Sequence, residues 1–541
     1  MKHQKALFCV LLALFIHAND ASRILGIFPY NGKSHFKMFD VLCKELAKRG
    51  HQVDVISHFP LKTPLANYTD VVDLNGTLKT VVNGITTEYG KYIQRSLTYF
   101  VATTFGNDLC DLMKQEKMQK FIKNPPNDPP YDLIIVEYFG SPCYIGFGQL
   151  LKAPVAIVIS SMQMSFIDDI MGNPTSYAFL SGFYNDNAVV DTFFDRLWNF
   201  LINYKNALIF QHYTAEQTDM MKKYLGLPDV PDVRELEKIV SLAIVNSHYS
   251  YYGIRPVTPA VIEVGGLHVE ADKSKLSPKL EKWLDMASPG VVYFSLGSLM
   301  NIETLPTETI LQIYASLAKI SPVKVLLKSA NATKLPPGLP NNVLTLPWIP
   351  QVAVLSKRNI SFQKIKGLSN VFLTEHPNTR VFVTHGGLMG TQEATYYGVP
   401  MIGMPVFGDQ IKNINILVDK NVAVLVDIDD ITEHSMDVAL NAVLHDPRYR
   451  ESAKTMSKMF RDRPMRPLDT AVYWIEYVLR NGPDSLRSAA VKLPWWKLHL
   501  LDVFVFLFAC FTFAIYLLIV LLNIVLTSFH KKSARTEKKL N

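Results

Sequence analysis

A histidine closes the apolar run Val381–His385, the glycines Gly386-Gly387 follow, and Glu393 and the pair Asp409-Gln410 come within the next helix and strand. Glycines at a strand-to-helix junction let a ligand approach the backbone. The helix expected from Leu388 to Tyr397 turns its free N–H groups and positive dipole end toward a phosphate. The spacing gathers one imidazole and two carboxylates at one end of a parallel sheet, a set suited to a phosphorylated, hydroxyl-rich ligand. A second histidine, His35, falls where the strand Arg23–Pro29 hands over to a helix. Open α/β sheets bind ligands in that crevice, and a neutral imidazole there can accept a proton. The strand Tyr131–Glu137 ends on a carboxylate that could orient it.

These groups need elements that hold them. Ser34 is the expected N-cap of a helix running to Arg49, with Phe36, Phe39, Leu42, Cys43 and Leu46 on one face and Gly50 beyond its end. Further strands are expected at Gln52–Ser57, Ala153–Ser160, Ser241–Asn246, Val291–Ser295, Val323–Leu327, Val343–Leu346 and Val422–Val426. A helix is expected over Ser141–Lys152. The aromatic-rich stretch Phe166–Tyr224 reads as helices lining an apolar pocket. Gly253–Leu267, with Pro256 and Pro259, reads as an extended linker. Asp430 and Glu433 suggest a capping box for a helix ending at Leu444, and this places Asp427-Ile428-Asp429 in a turn rather than at a metal. Pro467–Arg480 is the helix expected to return to the first half of the chain.

Thr384-His385-Gly386-Gly387, Glu393-Ala394, Gly398-Val399-Pro400 and Asp409-Gln410 together resemble the signature of the UDP-glycosyltransferase family. With Leu388 and Thr391-Gln392 the match is most similar to the insect membrane-bound members; Met389 stands where vertebrate members usually carry Asn. The resemblance runs from Ser22 to the tail. It implies an α/β chain of GT-B type, two Rossmann-like domains facing a cleft, with the acceptor domain at 22–252, a linker at 253–267 and the UDP-sugar domain at 268–466. It implies that His35 is the general base, oriented by Glu137 where the family usually has Asp. Trp348 and Gln351 of Trp-x-Pro-Gln would hold the nucleoside, Arg255 of Arg255-Pro256 the diphosphate, and Glu393 the ribose. Asp409 and Gln410 would hold sugar hydroxyls, and Ser295, Ser298, His385 and Gly387 complete the UDP-sugar site. The implied reaction transfers a hexose, glucose in most insect members, to a hydroxyl of a small lipophilic acceptor with inversion, using no metal and no cofactor beyond the UDP-sugar co-substrate. The alternative is a catalytically inactive member that binds ligands or partners, motivated by Glu137, Met389 and the run Ser356–Glu375. That run is an insertion of about nineteen residues relative to the family, long for a structureless loop. Both a surface loop and a translated intron accommodate it, since Ser356-Lys357 and Phe372–Glu375 can be encoded by splice-junction sequences. A dinucleotide-dependent dehydrogenase is disfavoured because no Gly-x-Gly-x-x-Gly follows a strand.

The two ends of the chain carry targeting signals. Residues 1–21, with Lys2 and Lys5 before the apolar run Ala6–Ile16, read as a secretory signal peptide. Residues 467–499 hold the return helix and a juxtamembrane segment, and 500–527 form a transmembrane helix. The basic tail 528–541 puts the C-terminus in the cytosol by the positive-inside rule. Lys538 and Lys539 resemble the dilysine retrieval pattern of the endoplasmic reticulum, so a single-pass type I protein of that membrane, with its bulk in the lumen, is expected. The net charge of +7 is carried mostly by the tail and by Lys2 and Lys5, which leaves too little for nucleic-acid binding. The sequons at Asn67, Asn75, Asn331 and Asn359 suit a lumenal chain. Cys43, Cys110 and Cys143 are the cysteines outside the leader and the span, and no disulfide framework follows from them. A homo-oligomer is compatible with all of this.

Overall fold

Buried parallel strands need apolar residues on both faces, and Arg23–Phe28, RILGIF, is buried along its whole length. It is β1 of a seven-stranded parallel sheet with β2 Gln52–Ser57, β3 Tyr68–Asp73, β4 Leu133–Glu137, β5 Val155–Ile159, β6 Val240–Val245 and β7 Val261–Glu263, in the order β3-β2-β1-β4-β5-β6-β7. A second sheet is also parallel, with the order β10-β9-β8-β13-β14-β15. It contains β8 Val291–Ser295, β9 Lys324–Lys328, β10 Val343–Leu346, β13 Thr379–Thr384, β14 Met401–Gly403 and β15 Ala423–Leu425. The computed structural model describes residues 21–78, 84–364 and 371–540, with side chains except at 358–364, 371–377 and 533–540. The expected leader, apart from Ala21, and the side chains of Asn359, Lys538 and Lys539 lie outside the described residues.

Each sheet has one place where strand order reverses. In the first it lies between β1 and β4, in the second between β8 and β13. Helix α1, Lys33–Lys48, leaves β1 at the first reversal and buries Phe36, Phe39, Leu42, Cys43 and Leu46 on the expected face. Each such side chain, fully buried, stabilises the fold by roughly 1.5–3 kcal/mol. The cap differs from expectation: Gly32 occupies the N-cap and Ser34 is already inside the first turn. Over Ser141–Lys152 the chain forms a 3-10 turn, Pro142–Gly146, and then a short helix, Phe147–Leu151. The linker expected at 253–267 is extended only in part, because Val261–Glu263 joins the first sheet beside β6 as its edge strand.

Helix α2, Phe193–Thr214, contradicts the expectation that the aromatic stretch lines a pocket. Its buried face carries Asn199, whose amide donates to Tyr177 O and Leu180 O and accepts from Gly182 N, and Asn203, which accepts from Tyr184 N, while Phe193, Phe194, Leu197, Trp198, Leu201 and Tyr204 are exposed. The helix is polar inward because the 177–185 loop it covers has backbone groups to satisfy, and a contiguous apolar face is left outward.

Helices α3, Leu388–Tyr397, and α4, Gln410–Asp419, follow β13 and β14; α3 ends as expected on Gly398, left-handed at φ 68°. The helix Glu433–His445 is capped by Thr432 with Ser435, in place of the expected Asp430–Glu433 box, because the chain turns two residues later than the motif suggested. Helix α5, Pro467–Asn481, returns to the first sheet and packs Ala471, Val472, Ile475 and Val478 against it. Cys110 and Cys143, 33 residues apart, form a disulfide, correcting the reading that the cysteines define none; Cys43 is buried and free.

The backbone of the insertion pairs as an antiparallel hairpin, β11 Arg358–Lys364 with β12 Val371–Pro377, belonging to neither large sheet. Ile360 and Phe362 alternate with polar residues in the first strand, and Val371-Phe372-Leu373 is a short apolar run in the second. Ala489–Asn541 is a separate compact unit. Within it helix α6, Leu501–Leu540, contains the segment Leu501–Lys532, with a mean hydropathy of 2.9, long and apolar enough to cross a bilayer. The helix runs on through the basic tail, whose Lys, Arg and Ala residues are good helix formers.

Candidate active site

A cleft of about 1470 Å³ opens where the two reversal points face each other, the place where doubly wound sheets bind ligands. His35 enters it from the start of α1. Its Nδ1 lies 3.2 Å from Glu137 Oε1 and 2.8 Å from Ser160 Oγ, so Nδ1 carries the hydrogen and Nε2 keeps a lone pair for the cleft. Tyr30 and Phe139 flank the ring at centroid distances of 4.6 and 5.0 Å. Glu137, at the end of β4, is buried and also accepts from Tyr30 N at 3.4 Å. Burial pushes its carboxyl upward, and the bond to His35 opposes that shift. The extra methylene of Glu therefore still reaches the imidazole. Ser160, one residue past β5, was not foreseen; a polar residue ending a strand beside β4 is the signal that marks it.

The opposite wall comes from the second sheet. Ser295 at the end of β8, Gly297 and Ser298 just after it, Trp348, Gln351, His385, Gly387, Glu393, Asp409 and Gln410 all line the cleft. Gly387 is the N-cap of α3, so that helix begins at the cleft. The imidazole of His385 is held between two glycines. A Cβ on Gly387 would lie 2.6 Å from Nε2, and one on Gly297, where φ is +80°, would lie 2.7 Å from the same atom. Burial and then the nearby Lys328 ammonium lower the His385 pKa from 6.5 to about 4.

Because the unfolded chain binds a proton at His385 that the folded chain refuses, this group's contribution is present above pH 6.5 and lost as pH falls toward 4. The stability difference between wild type and His385→Gln is expected to shrink by about 3 kcal/mol between pH 7 and pH 4. Paired thermal melts measure it, since titrations common to both proteins cancel in the difference.

Trp348 is half exposed, with Lys33 Nζ 4.7 Å and Lys328 Nζ 5.8 Å from its ring centroid. Gln351 receives a hydrogen bond from Tyr293 Oη at 3.0 Å and donates to Glu393 Oε2 at 2.6 Å. Asp409 accepts from Asn413 Nδ2 at 3.0 Å; burial raises its carboxyl, and the hydrogen bond from Asn413 works against that. Gln410 departs from the expected role in part. Its Oε1 accepts from Val406 N and Phe407 N at 3.0 and 3.2 Å, bracing its own loop and leaving the amide NH₂ for a ligand.

Arg255 does not line the cleft. The short helix Tyr249–Tyr252 carries it behind α4, where its charge acts on Asp168, Glu263 and Lys412. Lys33 and Lys328 are cations that line the cleft beside Trp348. Leu97, Val101, Phe105, Phe139 and Phe183 form an apolar wall beside His35; only Phe183 comes from the stretch expected to supply it. Asn67, Asn75 and Asn331 are exposed.

Two parallel α/β sheets whose reversal points share one cleft form the GT-B architecture. Solved structures agree: the glycosyltransferase VinC in complex with dTDP superposes with a TM-score of 0.55 over 85% of this chain and 100% of its own, at 16% identity. Calicheamicin glycosyltransferase CalG4 gives 0.52 over 85% and 99%, at 18% identity. The profile of the family described as "UDP-glucoronosyl and UDP-glucosyl transferase" matches residues 25–536. UDP-glucosyltransferase 2 of Dactylopius coccus is 32% identical over 525 residues, covering 94% of each chain. UDP-glucuronosyltransferase 2C1 of Oryctolagus cuniculus is 30% identical over 517 residues, 90% of this chain and 94% of its own. The chain belongs to the UDP-glycosyltransferase family, enzymes that transfer a sugar from a UDP-sugar.

Proposed function

We propose that the protein transfers glucose from UDP-glucose to a hydroxyl of a small lipophilic acceptor, inverting the anomeric carbon, with His35 as general base. The observation that carries this reading is His35 itself. Its Nδ1 is tethered by Glu137 and Ser160 while the ring faces a cleft whose far wall holds Asp409. Nε2 would take the acceptor proton as oxygen attacks the anomeric carbon. The bond to UDP breaks on the opposite side, and the negative charge that develops falls near the N-terminus of α3, His385 as a hydrogen-bond donor, and Lys328. Trp348 and Gln351 would hold the nucleoside, Glu393 the ribose, Ser295 and Ser298 the phosphates, and Asp409 with the amide of Gln410 the sugar hydroxyls. Arg255 would act through the packing behind α4. The reading uses no metal and no cofactor. The apolar wall beside His35 fits a lipophilic acceptor.

The same reading places the enzyme in the endoplasmic reticulum membrane as a type I protein. Leu501–Lys532 would be its span, Lys538-Lys539 its retrieval signal, and Asn67, Asn75, Asn331 and Asn359 its glycosylation sites in the lumen. Glucose is favoured because the central motif is insect-like and the similar protein from Dactylopius coccus is a UDP-glucosyltransferase. UDP release by membranes containing the protein, measured with several UDP-sugars and a panel of phenols and lipophilic alcohols, tests it. Acceptor-dependent release is expected with UDP-glucose in preference to UDP-glucuronate. Preference for UDP-glucuronate would overturn the donor assignment, and no release with any donor would favour an inactive binding protein.

A further inference from the structure

Lys37 lies on α1 two residues beyond His35, yet its ammonium is spent on the opposite half of the cleft. Nζ is 3.0 Å from Glu393 Oε1 on α3 and 2.8 Å from Asp272 Oδ2, the C-cap of the short helix Leu267–Ala271. All three residues line the cleft. Glu393 is buried and has two further partners: Gln351 Nε2 at 2.6 Å from Oε2, and His268 Nε2 at 3.3 Å from Oε1. A carboxylate offers about four lone-pair sites. With Lys37 and His268 on one oxygen and Gln351 on the other, Oε2 keeps a site for a ribose hydroxyl without Lys37 having to leave.

We propose that Lys37 is a positioning residue that clamps α1 to the ribose carboxylate Glu393, completing the nucleotide site only when the two halves of the cleft are joined and His35 stands over the donor. The inference rests on the reading that Glu393 holds the ribose. Its electrostatic logic is local. Two carboxylates, Glu393 and Asp272, stand where an anionic nucleotide must arrive, and Lys37 is the cation placed between them. Burial alone would raise the Glu393 carboxyl, but Lys37, His268 and Gln351 outweigh it and hold the group down at about 2. The acceptor that the ribose needs is therefore ionised over the whole working range. Removing the ammonium leaves a buried carboxylate without its counter-ion beside a second carboxylate, the arrangement most costly in free energy.

UDP titrations of the full-length protein in detergent micelles test this, using Lys37→Met, Lys37→Arg, Glu393→Gln and the Lys37→Met/Glu393→Gln pair. Lys37→Met is expected to weaken UDP binding about tenfold and to add a loss of affinity on acidification that sets in at higher pH than in wild type, since Glu393 then protonates more readily. Lys37→Arg should restore most of the affinity. In the Glu393→Gln background, Lys37→Met should change UDP affinity much less than it does in wild type, because the carboxylate through which Lys37 acts on the ribose is gone and only its pair with Asp272 remains. Unchanged or tighter UDP binding by Lys37→Met would overturn the clamp, the tighter result marking Lys37 as a plug that the ribose displaces. Wild-type UDP affinity in Glu393→Gln would be a different failure: the ribose reading falls, and the inference with it.

Discussion

His35→Ala is expected to lower turnover by about three orders of magnitude, the range of a lost general base, while UDP affinity stays within about twofold of wild type. The separation follows from where the groups sit. His35 is carried by β1 and α1 of the first sheet, whereas Trp348, Gln351, His385 and Glu393 are carried by the second. Glu137→Gln should cost less than His35→Ala, because Ser160 at 2.8 Å continues to hold Nδ1 when the carboxylate is replaced. Steady-state turnover with UDP titration of the same preparations checks both. An equal loss of UDP affinity in His35→Ala would contradict the division of labour between the sheets, and wild-type turnover in Glu137→Gln would remove that carboxylate from the mechanism.

Gly297→Val carries the second large expected effect, a loss of UDP affinity of about a hundredfold or more, on the order of 3 kcal/mol. Two costs combine at this position. A residue with a Cβ at φ +80° enters the left-handed region at about 1–2 kcal/mol, more when it is β-branched. The new Cβ would also press on the His385 ring, lying 2.4 Å from its Cε1 and 2.7 Å from its Nε2, so the ring must shift. Gly76→Ala is the matched control. It shares the positive φ, at +83°, but a Cβ there meets nothing within 4 Å, so only the backbone cost applies and activity should persist. Calorimetric UDP titration and thermal melts of the two variants separate a damaged donor site from a merely strained turn. Retained UDP affinity in Gly297→Val would show that His385 has room to move.

What was legible in the chain were features that local physics encodes. The run Val381–Gln410 announces strand, helix and strand through β-branched residues, a glycine pair and Gly398, and the structure places β13, α3 and β14 there. His35 and Glu137 were findable because one opens the helix after a strand, the other ends a strand, and both strands flank a reversal of strand order; the two side chains meet at 3.2 Å. Features that depend on distant packing were not legible. Cys110 and Cys143 pair across 33 residues through the fold of the first sheet's helices. Ser160 joins His35 only because β5 lies beside β4. Lys37 reads as an ordinary helix-surface lysine until the second sheet's helix brings Glu393 to it. Arg255 lies outside the residues that line the cleft, since the motif fixes its neighbours in sequence and says nothing of the turn at Tyr249–Tyr252 that precedes it. Helix α2 misled most, since aromatic content indicates burial on average, whereas here the loop beneath it demanded the asparagines.

The claim on which the rest depends is a single in-line displacement at the anomeric carbon, with the acceptor deprotonated from the side opposite UDP. Its most direct test is the anomeric configuration of the product formed from α-linked UDP-glucose, read by proton NMR before any spontaneous rearrangement. The account predicts the β-glycoside alone. An α-glycoside would mean retention, and would contradict both the role of His35 and the placement of the acceptor opposite the departing diphosphate.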